Sequence, residues 1–119
     1  MNKKDVQSIT VEYGGFFGGE EKRVLKHDGD KIVVERFFYN GAADDGLLLY
    51  QATSWSELLK SIFGLIENWK EEYNDPDVLD GTQWSLDIDC ADGVEKHYWG
   101  SNLFPDNFDD FLKVIEMER

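Results

Sequence analysis

Hydrophobic and polar positions change period along this chain, and each period predicts an element. Over residues 8–13, Ile9, Val11 and Tyr13 alternate with Ser8, Thr10 and Glu12, the two-residue repeat of a half-buried strand. Gly14-Gly15-Phe16-Phe17-Gly18-Gly19 interrupts the repeat. Residues 22–27 and 31–39 then predict two strands around Asp28-Gly29, a pair suited to a tight hairpin because both residues tolerate positive φ. Residues 40–46 predict a loop, and Leu47-Leu48-Leu49-Tyr50 a short strand. From 55 to 73 the spacing turns helical: Trp55, Leu58, Leu59, Ile62, Phe63, Ile66, Trp69 and Tyr73 form one apolar stripe. Ser54 stands at the N-cap position with Glu57 three residues on, the pattern of a capping box. Gly64 inside the stripe suggests a close backbone contact, and Asn74-Asp75-Pro76-Asp77 stops the helix. Alternation returns at 83–90, with Trp84, Leu86, Ile88 and Cys90 on one face and Ser85, Asp87 and Asp89 on the other. Asp92-Gly93 turns the chain into a partner strand at 94–99. After a loop at 100–105, a last helix begins near Asp106 or Asn107 and carries Phe108, Phe111, Leu112 and Ile115 on its apolar face.

The order β-β-β-(β)-α-β-β-α with hairpin links predicts a single α+β domain over residues 1–119. It combines an antiparallel sheet of about five strands with two helices packed on one face. At 119 residues, 41% of them hydrophobic and 14% aromatic, the chain can build a real core. It shows no apolar run near the ~20 residues of a membrane span and no signal-peptide pattern after Met1, so a cytoplasmic protein is expected, with no membrane contact. One cysteine, Cys90, excludes an internal disulfide and a cysteine zinc cluster.

Charge adds an asymmetry to this picture. The formal net charge is -13. Residues 1–40 carry seven Lys/Arg and seven Asp/Glu, whereas residues 41–119 carry five against eighteen. Such a protein is repelled by nucleic acid and by anionic lipid, and it suits a basic protein partner. The candidate partner-binding acids are Glu67, Glu71, Glu72, Asp75, Asp77, Asp80, Asp87, Asp89, Asp92, Glu95, Asp106, Asp109 and Asp110. They serve equally as a solvated face that keeps the protein soluble. Glu67 and Glu71, at i and i+4 of the expected helix, oppose its stability, which favours a role toward a partner.

The remaining motifs are weaker. The glycine segment 14–19 lacks the Lys-Ser/Thr of a phosphate loop and is followed by Glu20-Glu21. Its Phe16 and Phe17 either tuck over the core, the favoured reading, or form an exposed anchor, as Trp99 could. Asp75, Asp77 and Asp80 fail the calcium-loop pattern, because Leu79, Asp80 and Leu86 stand where oxygen, glycine and glutamate are needed. Asp87, Asp89, Glu95 and His97 share one expected strand face. A solvated polar face explains them, and a metal-assisted hydrolase built on Asp87, Asp89 and His97 is the alternative. Cys90 fits a buried thiol, and His27, beside a turn, carries no evident role.

Asp80-Gly81-Thr82-Gln83-Trp84, Gly100-Ser101-Asn102-Leu103-Phe104-Pro105 and Asn107-Phe108 together resemble a pattern of small, poorly characterised bacterial proteins. This resemblance implies a shared fold trait and no activity, with Gly100, Pro105 and the aromatics locking the last loop against the core. In size and charge the chain is similar to toxin-neutralising immunity proteins and phage anti-CRISPR proteins. The expected function is therefore non-enzymatic: an inhibitor that occupies the phosphate-binding surface of a basic, nucleic-acid-acting protein, with no cofactor and no metal. A non-inhibitory interaction domain would share the same features.

Overall fold

The structure, a computed structural model, describes residues 5–15, 19–38, 43–44, 54–74 and 82–117. Among these residues, seven strands and two helices follow in the order β1 (Val6–Gly15), β2 (Gly19–Asp28), β3 (Lys31–Phe38), β4 (Ala43–Asp44), α1 (Trp55–Ile66), β5 (Glu72–Asn74), β6 (Thr82–Cys90), β7 (Glu95–Ser101) and α2 (Phe108–Val114). The α+β class stands. The strands form one sheet in the order β4-β3-β2-β1-β6-β7-β5, antiparallel throughout except for the β5–β7 pair. Two strands beyond the expected five are short edges: β4 lies in the expected loop at 40–46, and β5 in the expected helix tail. The expected strand at 47–50 lies outside the described residues.

Register explains the alternation. Ile9 stands opposite Ile88 and Leu25, Val11 opposite Leu86 and Arg23, and Tyr13 opposite Trp84. This covered face is almost wholly buried: Ile9, Leu25, Leu86 and Ile88 are fully inaccessible. Contacts from both helices fall on its side chains. Trp55 of α1 stacks on His27 at 5.0 Å, and Phe108 of α2 lies 5.0 Å from Trp84 and 6.0 Å from Tyr13. His27 therefore has a role that its sequence context did not reveal. It docks the start of α1 on the β2–β3 hairpin, where Gly29 adopts φ +62°. Ser54 caps α1, its Oγ accepting from Glu57 N–H at 3.2 Å.

The expected helix over 55–73 ends at Ile66. No basic residue lies in its last turn, and Glu67, the C-cap, brings negative charge to the negative end of the helix dipole. The chain turns instead, with Trp69 N–H donating to the Ile66 carbonyl at 3.0 Å. Trp69 then enters the aromatic core edge-on to Trp84, Tyr98 and Phe111. Asn107 fixes it there, accepting from Trp69 Nε1 at 2.6 Å and donating from Nδ2 to the Leu65 carbonyl at 2.7 Å. Glu71 is thus off the helix, and the expected i, i+4 repulsion between Glu67 and Glu71 does not arise. Gly64 makes no close backbone contact: it is exposed, and a Cβ there would meet nothing within 4 Å. The glycine that packing requires is Gly100. A Cβ on it would come within 2.1 Å of Trp84 Nε1 and 2.6 Å of the Leu103 carbonyl, to which Trp84 Nε1 donates at 3.0 Å.

Candidate functional site

The other face of the sheet is built from the residues between the buried ones. Two cross-strand rows define its centre. One runs Trp99, Ser85, Glu12, Lys22 and Phe37 across β7, β6, β1, β2 and β3, and the next runs His97, Asp87, Thr10, Val24 and Glu35. Glu72 of β5 extends the first row beyond Trp99. Glu95 and Asp89 stand opposite each other in a third row, with Ser8 beside Asp89 and donating to it at 3.4 Å. None of the helix contacts described above falls on this face.

The sequence asymmetry in charge becomes a spatial one here. The neutral first forty residues supply β1 to β3, where Lys22, Lys26, Glu35 and the exposed Val33 mix the signs and Lys26 pairs with Glu35 at 3.4 Å. The acid-rich remainder supplies β5 to β7, where Glu72, Asp87, Asp89 and Glu95 gather. Glu12 on β1, which sequence reasoning did not single out, completes the acidic half. The signal for it was available, since Glu12 alternates out of phase with Ile9, Val11 and Tyr13.

Between Trp99 and Glu12 the small Ser85 leaves a depression. A cavity of about 460 Å³ opens there, lined by Glu12, Gln83, Ser85, Asp87, His97 and Trp99 among others. His97 Nδ1 is hydrogen-bonded to Asp87 Oδ1. Their side chains are 55% and 39% exposed, so water screens the pair and it adds little to stability.

The structure divides the sequence-predicted acids. Glu72, Asp87, Asp89 and Glu95 share the open face. Asp92 sits in the β6–β7 turn, accepting from Val94 N–H at 3.0 Å. Glu67 caps α1, while Asp106, Asp109 and Asp110 are exposed around the start of α2. Trp99 is half-buried at the cavity. Asp75, Asp77, Asp80, Phe16 and Phe17 lie outside the described residues. Among the described residues, no three of His, Cys, Asp and Glu gather as a metal site would need. Asp87 meets His97, whereas Asp89 faces Glu95 and Ser8.

Among the described residues, two groups have shifted acidity, and both are structural. Asp30 is held below the ordinary 3.8, first by the Ser56 hydroxyl donating at 2.7 Å and next by the Ser56 backbone N–H at 3.0 Å. Burial pushes the Cys90 thiol up, and Asp92 and Asp5 push it the same way, so it is a poor nucleophile as expected. On the covered face, Arg23 is 3% exposed, ion-paired to Glu21 and donating from Nη1 to the Ile115 carbonyl at the end of α2. No helix among the described residues is long and apolar enough to cross a membrane. No protein-family model, curated protein or solved structure matches the chain.

Proposed function

We propose that this chain is a non-enzymatic binding protein. It docks a basic, nucleic-acid-acting protein and covers the surface with which that partner meets phosphates, in the manner of a toxin-immunity or anti-CRISPR inhibitor. The observation that carries this reading is the acidic half of the open sheet face. Glu12, Glu72, Asp87, Asp89 and Glu95 project from four neighbouring strands. Strands lie ~4.8 Å apart and same-face residues repeat every ~6.8 Å, so these carboxylates form a fixed grid of negative charge. A grid of that spacing is complementary to a groove lined with Lys and Arg, and it steers association with it. A rigid sheet holds the charges apart against their own repulsion, which a flexible acidic tail could not do.

The test is capture on the immobilised protein at low and high salt, followed by assay of what is retained. The expected result is a basic nuclease or nucleic-acid-binding protein that is released by salt and cannot bind its nucleic acid while held. A retained partner that binds nucleic acid undiminished would overturn the inhibitory reading.

A further inference from the structure

We infer that the cavity on the open face receives an arginine side chain of the partner, its guanidinium stacked on Trp99 and donating to Asp87 and Glu12. This inference rests on the docking reading above and names the contact at its centre. The geometry comes from register. Trp99, Ser85 and Glu12 stand side by side on β7, β6 and β1. Two strand spacings of ~4.8 Å separate the outer pair, so the Trp99 and Glu12 backbones lie ~10 Å apart across a residue too small to fill the gap. That width admits one extended side chain between an indole wall and a carboxylate wall. Asp87, one row away at the same cavity, presents a second carboxylate. His97 engages its Oδ1, which leaves Oδ2 for a ligand. Glu72, opposite Trp99 on β5, adds negative charge behind the ring, and Lys22, opposite Glu12 on β2, marks where the acidic half stops.

Arginine fits this combination better than lysine. The guanidinium is planar, weakly hydrated and able to stack on an indole while its edge donates to carboxylates. An ammonium offers a point charge and no stacking face. The complementarity is one of shape as well as sign: a flat aromatic surface and two acceptors meet a flat cation with donors around its rim.

The probe is a blocked hexa-arginine peptide, compared with hexa-lysine and followed through the indole N–H resonance of Trp99 at low salt. The expected result is a shift of that resonance and binding about tenfold tighter for arginine than for lysine. Trp99→Ala and Glu12→Gln should each weaken arginine binding about tenfold, with Glu57→Gln, exposed on α1, neutral. Glu12→Gln keeps the shape of the exposed side chain, so it reads the contact even if Trp99→Ala unfolds. Equal affinity for the two peptides, or shifts confined to α2, would overturn the arginine site while leaving an acidic docking surface. An absence of binding to either peptide would overturn both.

Discussion

On the β6–β7 ribbon, neighbouring residues obey opposite rules. Trp84 is 3% exposed and Gly100, its cross-strand partner, admits no side chain at all. One residue along each strand, Ser85 faces Trp99 across an open cavity. The covered face is determined by packing: its buried side chains are apolar apart from the ion-paired Arg23, and at Gly100 there is room for none. The open face is under no such constraint. Its concentration of carboxylates is not needed to form the sheet, and their mutual repulsion works against it. That difference is why the open face, and not the core, carries the functional argument.

The comparison breaks most visibly at Gly100. Gly100→Ala drives a methyl into the Trp84 indole and the Leu103 carbonyl, both held in place by their mutual hydrogen bond. Overpacking against groups that cannot move should destabilise the fold by at least about 3 kcal/mol, read as a fall in the urea midpoint. Arg23→Met comes next. It removes the cation from the Glu21 carboxylate and the donor from the Ile115 carbonyl. A fully buried broken pair costs more, but the Glu21 side chain is 23% exposed and can rehydrate, so about 2–3 kcal/mol is expected. If Arg23→Met is neutral in the same experiment, the covered face tolerates charge as freely as the open one, and the contrast fails.

Arg23 also shows where the sequence stops being legible. The strands of the covered face follow from alternation at Ile9, Val11, Trp84, Leu86 and Ile88, and both Asp-Gly hairpins fall where expected. Lys22-Arg23-Val24-Leu25-Lys26 is ambiguous, because one phase buries an arginine with Leu25 and the other buries Val24 with two lysines. Only the C-terminal carbonyl of α2, 92 residues away, and Glu21 settle it in favour of Arg23. Trp69 and Tyr73 are misleading for a related reason. Their helical spacing continues the stripe of α1, yet Asn107 and the edge of β7 offer them better partners than another helical turn. At the candidate site, alternation alone places Asp87, Asp89, Glu95 and His97 on one face. The cavity was not legible, since it depends on Ser85 lying between Trp99 and Glu12, strands that meet only through register.

Asp30 sits at the rim of the covered face, where the β2–β3 hairpin holds the first turn of α1, and it makes the contrast depend on pH. Its carboxyl is depressed in the folded protein by the Ser56 hydroxyl and N–H, so its stabilising contribution is complete above the ordinary Asp range. That contribution is lost as pH falls through the depressed folded value. Melting temperatures of the protein and of Asp30→Ala should therefore differ near neutral pH and converge in strong acid. A constant gap across that range would mean that the Asp30 charge contributes nothing to holding α1.

The smallest effect is expected on the open face, and its sign matters more than its size. Glu95→Gln and Asp87→Asn each remove one negative charge while keeping shape. Asp87 gives up an exposed bond to His97 that water largely screens. Both substitutions relieve repulsion on the acidic half, Glu95→Gln most directly, because Asp89 stands opposite Glu95 across the strands. The expected change in unfolding free energy is within about 0.5 kcal/mol for either, and in the stabilising direction at low salt for Glu95→Gln. Added salt should erase that gain by screening the same repulsion in the parent protein. A loss above about 1 kcal/mol in either variant would instead show these carboxylates to be structural. The acidic half would then be explained by folding, and the functional reading would lose its physical basis.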